Sequence, residues 1–90
     1  MILFFHEEPC ASLYEHRNFG GWKEDLNLVK GNIRHINNQV SSVKVKLGCT
    51  LAAYRNYNYQ KVMFVTSKDL EVLKDKDDDQ MSSYRCFCGK

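Results

Sequence analysis

Residues 37–42 read NNQVSS, and residues 78–83 read DDQMSS. Both follow one plan: two amide or carboxylate residues, two variable residues, then two hydroxyls. An unusual pattern written twice at a spacing of forty-one residues points to an internal repeat. A second pair of segments supports it. LYEHRNFGG (13–21) lies over AYRNYNYQK (53–61) at a spacing of forty, with Tyr14 on Tyr54, Asn18 on Asn58 and Phe19 on Tyr59. Cys10 and Cys49 also match roughly, each opening a strand. The chain therefore reads as two tandem units, residues 10–47 and 48–90, with a boundary near Leu47–Gly48.

Within each unit the periodicity is that of strands. SVKVK (42–46) alternates apolar and basic residues, and SYRCFC (83–88) places Tyr84, Cys86 and Cys88 on one face. TLAAYRNY and KVMFVT are rich in β-branched and aromatic residues. RNFGGW (17–22) carries the glycine pair of a tight hairpin. SKDLEVLKDK (67–76) supports at most one short helical turn between strands, and NLVKGNIRHI (27–36) a brief strand or turn. Two units of about four short strands each predict an all-β sandwich of two Greek-key motifs, because neither unit can bury its apolar face alone. The expected core is Leu13, Leu26, Val43, Val45, Leu51, Phe64, Tyr84 and Cys86.

Ninety residues make one domain with a thin stability margin, so a staple is expected: a disulfide, a metal or a partner. The formal charge of +2 gives no reason to expect nucleic acid. The acid is concentrated in residues 71–80, which hold five carboxylates and two lysines. That local knot suggests a local cation site. No stretch is long and apolar enough for a membrane helix. MILFF lacks a basic flank, so residues 1–9 read as an extension or extra edge strand rather than a signal peptide. The four cysteines have no zinc-site spacing; buried thiols are the plainer expectation and a disulfide the sharper one. His6, His16 and His35 are scattered, and the serines lack a nucleophile-elbow context. No phosphate-binding loop is present. A non-enzymatic domain is expected.

Both hexapeptides offer only oxygen donors, which suits Ca2+ and disfavours zinc or copper. An EF-hand fits poorly. Asp75, Asp77 and Asp79 match its first positions, but Gln80 stands where Gly is required and Cys86 where Glu is required. Tyr14, Phe19 and Gly21, followed by the two N/D-N/D-x-x-S-S segments, resemble the βγ-crystallins, and the resemblance runs over residues 10–88. It departs at Lys61, which stands where the second hairpin would have Gly. Either that hairpin has another shape or it carries strain.

The resemblance implies two Ca2+ ions per domain, each in a site built crosswise from both units. Gln39 and Gln80 would lend backbone carbonyls, as would Glu15 and Arg55 after the hairpin tyrosines. Ser41 and Ser82 would lend hydroxyls. Asn37, Asn38, Asp78 and Asp79 would supply side-chain oxygen or its support. Ser42 and Ser83 would hold the loops. The site receiving an Asp carboxylate is expected to be the tighter, with affinities on the order of 10⁻⁶ to 10⁻⁴ M. The resemblance also makes the first and fourth strands of a unit neighbours, bringing Cys49 near Cys86 or Cys88. A monomer is expected, either by itself or as one part of a larger multidomain protein. A calcium-indifferent interaction module, or a domain binding membranes or glycans, is the alternative.

Overall fold

The computed structural model describes residues 8–74 and 76–89. Of the expected N-terminal extension, residues 1–7 lie outside the described residues. Among the described residues seven strands follow one another: β1 Ala11–His16, β2 Gly20–Leu26, β3 Lys30–Asn32, β4 Ser42–Val45, β5 Cys49–Asn56, β6 Gln60–Thr66 and β7 Ser83–Cys88. They form two antiparallel sheets, ordered β2-β1-β4 and β3-β7-β5-β6.

The units exchange material. β3 comes from the first unit but pairs with β7, placing Lys30 opposite Arg85 and Asn32 opposite Ser83. In return the chain after β6 crosses to the first sheet, where Leu70 bridges Val43. Both backbone bonds of that bridge are made, at 3.0 and 2.9 Å. Among its described residues the second unit thus has three strands and one bridge, against an expectation of about four strands. SKDLEVLKDK contributes that bridge and bends, with no helix among its described residues.

Alternation along the strands builds the core. Leu13, Val43, Leu51 and Cys86 are fully enclosed, and Leu26, Val45 and Tyr84 are buried with them. Phe64 packs at the rim. Val40 and Met81, the variable residues of the two hexapeptides, are also fully buried and anchor their loops. Burial is the main force pushing the Tyr84 phenol up to about 12, with the charges of Tyr59 and Glu24 adding to it. Its hydroxyl donates to the Leu28 carbonyl at 3.3 Å.

The expectation of buried thiols is corrected. All four cysteines are paired, Cys10 with Cys86 and Cys49 with Cys88. Cys49 and Cys88 are directly opposed on β5 and β7. Cys10, for which no partner was foreseen, precedes β1, while Cys86 lies on β7, so this bond joins the two sheets through the core. For a domain this small, such bonds supply the staple that burial alone does not.

The two hairpins share one backbone geometry. Asn18 and Phe19 have φ of 56° and 62°, and Asn58 and Tyr59 repeat this at 59° and 63°. Left-handed backbone costs a residue with a Cβ about 1–2 kcal/mol, least for Asn. The cost is offset by aromatic stacking: Phe19 packs edge-on against Tyr14 at 5.5 Å and Tyr59 against Tyr54 at 5.9 Å.

Candidate metal centre

The two hexapeptide loops meet around a local two-fold relationship. Asn38 N–H donates to the Met81 carbonyl and Asp79 N–H to the Val40 carbonyl, both at 3.0 Å. Asn38 and Asp79 hold matching left-handed conformations, φ 61° and 58°. Asn and Asp tolerate that conformation better than other residues with a Cβ, which accounts for their place in the repeat. Each loop then docks on its own hairpin: Ser41 N–H donates to the Tyr14 carbonyl at 3.0 Å, and Ser82 N–H to the Tyr54 carbonyl at 2.8 Å.

The last serine of each hexapeptide locks this arrangement. Ser42 Oγ donates to the His16 carbonyl at 2.6 Å and accepts from Phe19 N–H at 3.0 Å. Ser83 Oγ does the same with the Asn56 carbonyl at 2.6 Å and Tyr59 N–H at 3.1 Å. Both serines are fully buried, so these hydroxyls brace the hairpins.

Between the first hairpin and the crossed loops lies a cleft of about 250 Å³, lined by Glu15, His16, Asn38, Gln39, Ser41 and Asp79. Ser41 Oγ lies 3.2 Å from Asp79 Oδ1, so oxygen atoms from both units converge there. Glu15 Oε1 accepts from Trp22 N–H at 3.3 Å and lies 3.6 Å from His16 Nε2. Two carboxylates, a hydroxyl and amide oxygens in one open cleft make a hard, anionic donor set. That set fits Ca2+ by chemistry and by number of available oxygens.

The second loop is arranged differently. Ser82 Oγ is hydrogen-bonded to the Asn37 amide, which also lies 3.5 Å from Asn38 Oδ1. Arg55, the counterpart of Glu15, lays its guanidinium over the loop. It donates to Gln80 Oε1 at 3.0 Å and to the Lys76 carbonyl at 3.1 Å, with Asp77 Oδ1 at 3.9 Å. Asp77 Oδ1 and Asp78 Oδ1 are buried without a hydrogen-bond partner among the described residues. Their unmet acceptor capacity fits a cation, while Arg55 already supplies a positive charge beside Asp77.

Of the residues singled out in the sequence, Glu15, Asn38, Gln39, Ser41 and Asp79 thus share one cleft. Asn37 joins Ser82, and Arg55 joins Gln80. Asp78 has none of these as a hydrogen-bond partner. The sequence assigns Glu15 and Arg55 a role through their backbone carbonyls; in the fold their side chains act as well. The signal was present: opposite charges at equivalent positions after the two hairpin tyrosines. Elsewhere, the sulfurs of Cys10, Cys49 and Cys88 lie within 4.8 Å of one another. Each is bonded in a disulfide and offers no thiolate to a metal.

Comparison with solved structures places this geometry on a known scaffold. A βγ-crystallin domain from Flavobacterium johnsoniae superposes with a TM-score of 0.82 at 21% identity, covering 89% of this chain and 96% of that one. A βγ-crystallin domain from Clostridium beijerinckii gives 0.80 at 23%, covering 87% and 97%. The N-terminal domain of protein S gives 0.78 at 23%, covering 87% and 94%. At such identities the likeness concerns the fold, which is that of a βγ-crystallin domain. No curated protein matches the chain. Residues 10–66 match the family model described as peptidase inhibitor family I36, a span that takes in both hairpins and the first hexapeptide. On that match, the chain belongs to peptidase inhibitor family I36.

Proposed function

We propose that this domain binds Ca2+ between its crossed loops and is stabilised by it, at two unequal sites. The observation that carries the reading is the convergence of Ser41 Oγ and Asp79 Oδ1, from different units, in a cleft that also holds Glu15. In the first site Glu15, Gln39, Ser41 and Asp79 hold the ion, with Asn38 shaping the loop. In the second, Asn37, Asn38, Gln80 and Ser82 offer neutral oxygen, Asp78 adds a carboxylate nearby, and Arg55 opposes the ion. Formal charge therefore favours the first site. An ion that binds only the folded chain adds about 2.7 kcal/mol per site at a hundredfold excess over Kd. Thermal melting with Ca2+ and with chelator tests this, with calorimetric titration of the Asp79→Asn and Ser41→Ala proteins alongside. The expected result is a higher melting temperature with Ca2+ and loss of the tighter binding step in both variants. Identical melting in Ca2+ and chelator would leave a calcium-indifferent structural domain.

A second reading is favoured by family membership. The chain inhibits a peptidase, with the disulfide-stapled sandwich serving as a rigid support for the contact surface. Inhibition assays against serine, cysteine, aspartic and metallo-peptidases test it, each run with the calcium-depleted and the calcium-loaded domain.

A further inference from the structure

The outer faces of the two sheets are chemically unlike. In the first sheet the row Asp25–Ser12–Lys44 faces outward and is neutralised internally: Ser12 donates to Asp25 at 2.7 Å, and Lys23 lies 3.6 Å from the same carboxylate. The corresponding row of the second sheet is Val65–Ala52–Arg85–Lys30. Valine replaces aspartate, alanine replaces serine, and a second cation is added. The four strands of this sheet carry Lys30, Arg55, Lys61 and Arg85 and no acidic residue. Arg55 is committed to the loop beside it. Among the described residues, Lys30, Lys61 and Arg85 have no ion-pair partner.

Lys30 and Arg85 are opposed across neighbouring strands, a pairing of like charges that by itself destabilises a sheet. Both are held over the Tyr59 ring, at 5.4 and 4.7 Å. Beside them Val62, Val65 and Phe87 are 63%, 60% and 55% exposed. Fixed, unpaired cations next to an apolar strip are complementary to a ligand that brings carboxylates and aliphatic groups together. A tethered guanidinium fork matches a carboxylate in two-point geometry, and the apolar strip of Val62, Val65 and Phe87 favours a polypeptide, which brings aliphatic side chains with its carboxylates.

We infer that the outer face of the β3-β7-β5-β6 sheet is a docking surface for an acidic polypeptide segment. Its carboxylates would sit on Arg85 and Lys30, and its apolar side chains on Val62, Val65 and Phe87. The surface is separate from the cleft at Glu15 and Asp79, and its occupancy does not depend on Ca2+.

The test uses fluorescence anisotropy with a labelled octapeptide of four glutamates followed by Val-Ser-Val-Ser, against the same peptide with four lysines. Binding of the glutamate peptide is expected to weaken about tenfold or more in Arg85→Glu, the size of loss that follows removal of a charged contact, and to weaken also in Val65→Asp, which sets a carboxylate in the apolar strip against those of the peptide. It should also weaken as salt rises. Melting temperatures establish that each variant is folded, and Lys30→Gln serves as a milder third variant. No binding, equal binding of the lysine peptide, or indifference to all three substitutions overturns the proposal. So does preferential binding of phosphatidylserine vesicles through the same residues, or sedimentation showing that the face closes on a second copy.

Discussion

Gly21 and Lys61 occupy the same place in their two hairpins, at φ of 77° and 63°. The second hairpin therefore keeps the shape of the first, and the lysine carries the strain. A Cβ at Gly21 would come within 2.6 Å of Glu15 Cβ, so the first unit has no such latitude. Lys61→Gly relieves about 1–2 kcal/mol of left-handed strain but adds about 0.5–1 kcal/mol of unfolded-state entropy, so a small net stabilisation is expected. Gly21→Ala is expected to destabilise by more than Lys61→Gly stabilises, and to disturb Glu15. Urea unfolding of both variants measures the contrast.

The two disulfides close loops of different length, with sequence separations of 76 and 39 residues. Loop-closure entropy gives upper estimates of about 4.5 kcal/mol for Cys10–Cys86 and about 4 kcal/mol for Cys49–Cys88. Because Cys49 and Cys88 sit on already paired strands while Cys10–Cys86 joins the sheets, the paired Cys10→Ser and Cys86→Ser substitutions should cost more. Mild reductant should open Cys49–Cys88 first, since Cys88 is exposed and Cys10 and Cys86 are fully buried. Mass mapping of alkylated thiols during reduction gives the order.

Tyr84 makes alkaline stability legible. Its ordinary value of 10.0 is raised in the fold to about 12, so the folded state holds its proton longer than the unfolded one. A group with a raised folded value contributes stability that is intact below the unfolded value and is lost as pH rises through the folded one. The Tyr84 contribution should therefore persist to pH 10 and disappear toward pH 12. Tyr84→Phe should be less sensitive over that window. Denaturant midpoints across the range, wild type against variant, check the difference.

Charge at position 55 should govern the weaker ion site. Arg55→Glu removes the guanidinium from Gln80 and gives the second unit the carboxylate that the first has at Glu15. The expected outcome is a roughly tenfold or greater gain in the second Ca2+ binding step with little change in the first, as charge count tunes such sites. Calorimetric titration separates the two steps. Trp22 offers an optical readout of the first, because its backbone N–H donates to the Glu15 carboxylate and so ties the indole's own residue to the site.

The Greek-key sandwich was legible because its costly positions recur. Asn18 and Asn58, Phe19 and Tyr59, and Asn38 and Asp79 each repeat a left-handed backbone, and selection for that backbone leaves few residue types. The core followed from strand alternation at Leu13, Val43, Leu51 and Cys86. The pairing of Cys10 with Cys86 was not legible, since it joins residues 76 apart in sequence across two sheets. The Leu70 bridge escaped notice because a single crossing residue has no period. At the cleft, the oxygen-rich pattern pointed to the residues, but the opposing roles of Glu15 and Arg55 arise from what each side chain reaches after folding.

The exchange of β3 against Leu70 makes each half of the chain the missing wall of the other. A nick at Leu47, 96% exposed between the units, would yield fragments that stay together as one particle, tethered by Cys10–Cys86. Expressed separately, neither fragment would have a complement for the strand it gives away. The folding unit of this architecture is thus the two halves together, each completing the sheet of the other.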